Sequence, residues 1–171
     1  MRLPITLSEI GPRISAGAFI LNSGLGKRNA DEQTAAGVHG FASGTYPFLK
    51  SVPPQQFVQA LSIAEMAVGG LLLAPFVPTA VAGLALTGFS GGLLGLYLRT
   101  PGMRKEGSLA PTQEGLAIAK DCWLLGIGIG LLVRGTVDRE QKVQRAAKTL
   151  AKANKRVAKA DRKATRSAAA A

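Results

Sequence analysis

The stretch Pro78–Leu98, "PTAVAGLALTGFSGGLLGLYL", runs 21 residues without one charged side chain. At 1.5 Å per residue a helix of that length rises about 31 Å, close to the roughly 30 Å hydrocarbon thickness of a bilayer. A helix of a water-soluble bundle keeps a polar face along such a length. This one has none, so it is read as a membrane span over residues 78–98, and the neighbouring sequence is read against it.

Immediately upstream, Phe57–Pro78 reads "FVQALSIAEMAVGGLLLAPFVP". It predicts a second apolar helix over 56–75, ended by the two prolines of "APFVP", which can neither continue a helix nor donate to it. The pair predicts a tight antiparallel hairpin. Two further segments approach spanning length, 8–26 and 115–133. The first holds Arg13 and Asn22; Arg13 is near enough to one end to carry its charge toward the interface. The fold class expected is therefore all-α: a polytopic membrane four-helix bundle over residues 1–133, followed by a basic, helical tail over 134–171.

Composition agrees with that division. Of 171 residues, 47% are hydrophobic and only 18% charged, with 21 glycines, a balance unusual for a soluble domain. From Arg134 onward there are 12 Lys/Arg and three Asp/Glu, so most of the formal charge of +11 sits in the tail. Basic residues flanking spans mark the cytoplasmic side. Both termini are expected in the cytoplasm, with the connections 27–55 and 99–114 outside. The opening "MRLPITL" is interrupted by Pro4, Glu9 and the Gly11-Pro12 pair before any signal-peptide apolar region forms.

Several chemistries are excluded by type. One cysteine, Cys122, leaves no intrachain disulfide, multi-cysteine zinc site or dithiol pair. No Walker loop, HExxH pattern, clear dinucleotide fingerprint or zinc-deaminase pattern occurs. Cys122 is expected to be a packing residue, and His39 a solvated side chain in a loop.

The charges inside the apolar segments are the candidates for function. Glu65 lies about 12 Å deep in the second span at 1.5 Å per residue. An ionised group near the membrane centre costs about 2.5–3.5 kcal/mol even on a lenient insertion scale, so a partner is required, and Arg13 on the first span is the expected one. A second polar set, Asn22, Lys27, Lys120 and Asp121, is placed near the outer face, where pairing and helix anchoring account for most of it. Gly88, Gly91, Gly92 and Gly95 in the third span and Gly126-x-Gly128-x-Gly130 in the fourth recur at helical spacing. They are expected to be helix-packing contacts, where small residues let backbones approach.

Three stretches together resemble the DoxX-like family of small bacterial four-helix integral membrane proteins. "PRISAGAFILNSGLGKR" is similar to its first helix through Arg13, Gly17, Gly24 and Lys27; "AEMAVGGLLL" to its second through Glu65, Gly69 and Gly70; and "AKDCWLLGIGIGLL" to its last through Lys120 and Asp121. The resemblance covers roughly residues 10–133 and rests on short motifs. It implies a noncatalytic or accessory subunit of a redox-related membrane assembly, quinone-linked or tied to oxidative stress, in the bacterial cytoplasmic membrane. It also implies redox-complex subunits as partners. No haem, flavin or quinone motif is present, so no cofactor is assigned to the chain itself; a quinone would be held with a partner subunit. Two alternatives stand beside it: a small-solute or proton-coupled transporter using Glu65, and a quinone-interacting membrane enzyme.

The tail, "REQKVQRAAKTLAKANKRVAKADRKATRS", is rich in helix formers, with Val143, Ala147, Leu150 and Val157 at helical spacing. Beside a bilayer, anionic lipid is its expected partner. Nucleic acid is the weaker alternative, and a merely solvated tail remains a third.

Overall fold

The computed structural model describes the backbone of residues 5–168 and the side chains of residues 5–155. Residues 1–4 of the opening, and the side chain of Val157 in the tail, lie outside the described residues. In chain order the elements are α1 (Leu7–Lys27), α2 (Glu32–Thr45), a 3-10 turn (Pro47–Ser51), α3 (Pro54–Leu73), α4 (Thr79–Arg99), α5 (Leu116–Ala119) and α6 (Cys122–Ala168). No strand occurs among the described residues; one isolated bridge joins Arg104 to Pro111 in the 100–115 connection. By its internal contacts the chain divides into Met1–Gly135 and Thr136–Ala171.

Three segments are long and apolar enough to cross a membrane: Pro54–Leu73, Thr79–Arg99, and Leu116–Lys155, which holds α5 and the first part of α6. Of their most apolar windows only 28%, 28% and 17% is buried inside the protein. The remaining apolar surface therefore faces outward, as a helix does when lipid is its solvent. The segment 8–26 forms the expected helix, α1, but is not among the three. Glu9, Pro12, Arg13, Asn22 and Lys27 lower its mean apolarity below theirs.

The core of the first unit is shared by α1, α3, α4 and the first turns of α6. Ala16, Ile20, Leu72, Ala82, Leu86, Leu124 and Leu131 form it, with Val77 from the α3–α4 connection. Phe19 and Trp123 meet edge to face, ring centroids 5.9 Å apart. Burial of such side chains stabilises by about 1.5–3 kcal/mol each.

The connection between α1 and α3 is itself helical. Asp31 caps α2 by accepting a 2.7 Å hydrogen bond from the Thr34 N–H. That backbone bond, with the Thr34 side chain contributing less, holds the Asp31 carboxyl below the ordinary carboxylate range. His39 is not solvated as expected: it is half-buried, its Nε2 is 2.9 Å from the Leu49 carbonyl, and its ring meets Phe57 edge-on. It ties α2 to the 3-10 turn.

The packing glycines are mostly other than those expected. A side chain at Gly88, Gly91, Gly92, Gly126 or Gly130 would meet nothing within 4 Å, so these glycines face open space. Of the expected set, Gly95 is in close contact, against the Tyr46 hydroxyl, and so is Gly128, against Thr87 on α4. The other close approaches are Gly17 on Leu72 and Leu73, Gly69 on Leu21, and Gly24 on Ser62 and Met66, between α1 and α3. Between α4 and α6 they are Gly83 on Leu131 and Leu132, and Gly135 on Ala80. Spacing identifies a stripe; it does not say which stripe faces a neighbour.

Candidate functional site

The register of α1 on α3 decides which charges meet. Gly17 lies against Leu72, Leu21 against Gly69 and Gly24 against Met66, so the two helices run antiparallel with paired positions summing to about 90. Arg13 then falls opposite the end of α3 and Lys27 opposite Glu65. Arg13 and Glu65 are separated by about 12 positions along the pair, some 18 Å at helical rise. The expected Arg13–Glu65 pair is therefore not formed; Lys27 is the partner.

At the Arg13 end, α3 stops at Leu73 with no glycine cap, leaving its last carbonyls without helical partners. Arg13 supplies them. Its Nε donates to Leu72 O (2.8 Å), Nη2 to Leu71 O (3.0 Å) and Ala74 O (2.8 Å), and Nη1 to Val77 O (3.1 Å) and Thr79 Oγ1 (3.5 Å). All five guanidinium N–H groups are thus engaged, on a side chain only 2% exposed. Beside it the buried Glu9 accepts from Thr79 Oγ1 (2.9 Å) and from the Thr6 N–H (2.9 Å), and lies 3.7 Å from Arg134 Nε. The carboxylate sits at the start of α4 and the guanidinium at the end of α3, where the helix dipoles favour each sign. This end is a filled polar joint that fixes the α3–α4 hairpin.

At the other end, Lys27 Nζ lies 3.0 Å from both Glu65 oxygens and donates to Ser23 Oγ at 2.6 Å. Glu65 is buried and the Lys27 side chain is a quarter exposed. Ser62, one turn before Glu65, donates to Gly24 O at 2.7 Å and so holds α3 close to α1 beneath the pair.

Here the packing is open. A cavity of about 420 Å³ is bounded by α1, α2, the 3-10 turn, α3, α4, α5 and the start of α6. Its walls are mainly aromatic and aliphatic, with Lys27, Glu65, Ser23 and Asp121 supplying the polar part. That size and mixture suit a small molecule, since ligand cavities are mostly apolar with a few placed polar groups. Of the other expected residues, Asn22 is exposed on α1 and outside the cavity. Lys120 is exposed and borders a separate open groove together with Cys122. Cys122 is exposed rather than packed. The sequence missed the aromatic half of the site, because Phe41, Tyr46 and Leu49 lie in a connection whose helical folding it did not indicate. Among the described residues no cluster of His, Cys, Asp and Glu could hold a metal.

Compared with protein-family models, with curated proteins and with solved structures, the chain finds no match; the DoxX-like resemblance rests on its motifs alone.

Proposed function

We propose that the chain is a four-span integral membrane protein that holds a small amphiphile within its outer half, as a noncatalytic or accessory subunit of a redox-related membrane assembly. The observation that carries the reading is the apolar cavity with the Lys27–Glu65 pair, its carboxylate buried, in its wall. Taking a carboxylate out of water costs desolvation that its pairing roughly repays. Placed beside empty space, the pair is better explained as polar recognition than as a source of stability.

Support for α1 as the fourth span comes from how its charged residues are disposed. Its charged residues Glu9 and Arg13 are buried and Lys27 is turned to Glu65, while Leu7, Ile14, Phe19 and Leu25 are exposed, together with the uncharged polar Ser8, Ser15 and Asn22. The basic excess after Val133 supports cytoplasmic termini, and the Lys and Arg content of the tail suits anionic lipid. The motif resemblance supports the redox setting and a quinone shared with a partner subunit.

Extraction in mild detergent followed by native mass spectrometry tests this. The expected result is a copurified small amphiphile, lost from Gly92→Phe, whose new side chain starts where 4 Å around it is open and which borders the cavity. Wild-type protein that is folded and carries no small molecule from any native extract would overturn it.

A second reading, proton-coupled transport, is favoured by one observation: Glu65 is a buried carboxylate at the cavity wall. Solute flux in proteoliposomes that survives Glu65→Gln unchanged would remove it.

A further inference from the structure

The cavity's charges do not cancel. Lys27 is its one basic lining residue, and Glu65 and Asp121 are both acidic. Lys27 is committed to Glu65 through both carboxylate oxygens. The Asp121 carboxylate, at the junction of α5 and α6, is half-buried, lines the same cavity as Lys27 and Glu65, and makes no hydrogen bond or ion pair among the described residues. Its neighbour Lys120 is exposed and outside the cavity. One negative charge is therefore left over at the wall.

The rest of the wall suits the opposite sign. Phe19, Phe41, Phe57, Phe89 and Tyr46 border the same space, and aromatic faces attract cations, more so where water is excluded. The Tyr46 hydroxyl is itself tied to Gly92 O at 2.9 Å, which fixes that ring as part of the wall. A cation there would gain from the leftover carboxylate and from the rings together. An anion would meet both as repulsion.

We propose that the cavity takes a lipophilic organic monocation, an amine or onium with an apolar body, whose positive centre lies between Asp121 and the aromatic wall. This rests on the reading of the cavity as an amphiphile site and names the class of occupant, a cation; the quinone shared with a partner subunit would sit at that partner's interface and not in this cavity.

The test uses two ions of the same shape and opposite charge, tetraphenylphosphonium and tetraphenylborate, with short-chain ubiquinone as the neutral probe. Binding to the full chain in maltoside micelles is measured by equilibrium dialysis, with protein-free micelles subtracted. Tetraphenylphosphonium is expected to bind at least tenfold more tightly than tetraphenylborate. Asp121→Asn is expected to lower phosphonium affinity about tenfold, the scale of one unscreened charge at cavity distances, and Asp121→Glu to restore most of it. Equal affinity for the two ions, or phosphonium binding indifferent to Asp121→Asn, overturns the cation assignment. If in that case all three probes, or the quinone alone, still bind and Gly92→Phe abolishes the binding, the amphiphile site itself stands. If no probe's binding responds to Gly92→Phe, the site falls together with the cation.

Discussion

The two ends of α1 bury the same kinds of group and use them differently. At Arg13 every donor is spent on carbonyls at the end of α3 and on Thr79, and Glu9 closes the remaining polar atoms. At Lys27 the ammonium and Glu65 satisfy each other, but they border a cavity of about 420 Å³ and leave Asp121 unpaired beside them. A saturated polar cluster is cement, fixing where a helix ends. A cluster that is satisfied yet open to a cavity, with one charge in excess, is a recognition surface. Burial alone does not separate the two, since Arg13 and Glu65 are both buried; what separates them is the space next to the charge.

The largest expected effect breaks the filled end. Arg13→Ala should destabilise the protein by about 3–5 kcal/mol, because it removes the side-chain donor for the carbonyls of Leu71, Leu72 and Val77 and leaves a cavity at a buried polar site. Detergent unfolding measures it. Arg13→Lys should recover little, since a single ammonium cannot reach the five acceptors the planar fork spans. A loss below about 1 kcal/mol would show the joint to be dispensable.

Next in size is the Lys27–Glu65 pair. Glu65→Ala should cost less than Arg13→Ala, about 1–3 kcal/mol, because Lys27 is partly exposed and can carry its charge toward the interface. The Lys27→Met/Glu65→Ala cycle should show coupling of about 0.6–1.7 kcal/mol, the range for intramembrane polar groups. The Arg13→Ala/Glu65→Ala cycle should be additive within about 0.5 kcal/mol, as for sites far apart. Coupling in the second cycle and not the first would reverse the assignment of partners.

The glycines offer a sharper local contrast. Gly83→Ala places a carbon against the backbone of Leu131 and Leu132 and should cost about 1–3 kcal/mol by overpacking. Gly91→Ala and Gly130→Ala meet nothing within 4 Å and should be neutral or stabilising by up to about 1 kcal/mol, the helix-propensity difference. Equal costs would mean that the open faces are covered by another protein surface.

The smallest effect is at Asp31, outside the apolar segments. Its carboxyl is held below the ordinary range by the Thr34 N–H, so the cap is fully present above the unfolded value. It is lost as pH falls from about 3.9 through the lowered folded value. Amide protection at the start of α2, exchange relative to the intrinsic rate at each pH, should fall over that window. Asp31→Asn, which can still cap, should remove this change in protection. Protection that is flat with pH in the parent would refute the capping role.

How much of this was legible in the sequence depended on whether a signal was local. The helices of 56–75 and 78–98 follow from uninterrupted apolar length and from the prolines of "APFVP", and both formed. The helix over 8–26 was legible and formed as α1, but it is not among the three segments apolar enough to cross a membrane, because Glu9, Pro12, Arg13, Asn22 and Lys27 lower its apolarity. The partner of Glu65 was out of reach: it depends on the α1–α3 register, which is set by Gly17, Gly24 and Gly69 packing on the facing helix. These same glycines carried the motif resemblance, although nothing in their spacing sets them above Gly88, Gly91 and Gly92. Asp121 could be named as polar, but not as the charge left over, since that requires knowing that Lys27 is already taken. The α2 helix was missed because the connection 27–55, with its polar residues, glycines and Pro53-Pro54, reads as a loop, and with it went the cavity's aromatic cover.

The central claim, that the Lys27 end is a recognition site and the Arg13 end is a structural joint, is tested most directly by a cryo-electron microscopy map of the chain in native lipid. The account predicts non-protein density inside the space bounded by Glu65, Asp121, Phe41 and Phe89, and continuous density from Arg13 to the α3 carbonyls with nothing bound there. A cavity closed by its own side chains, with Lys27 turned away from Glu65, would contradict it.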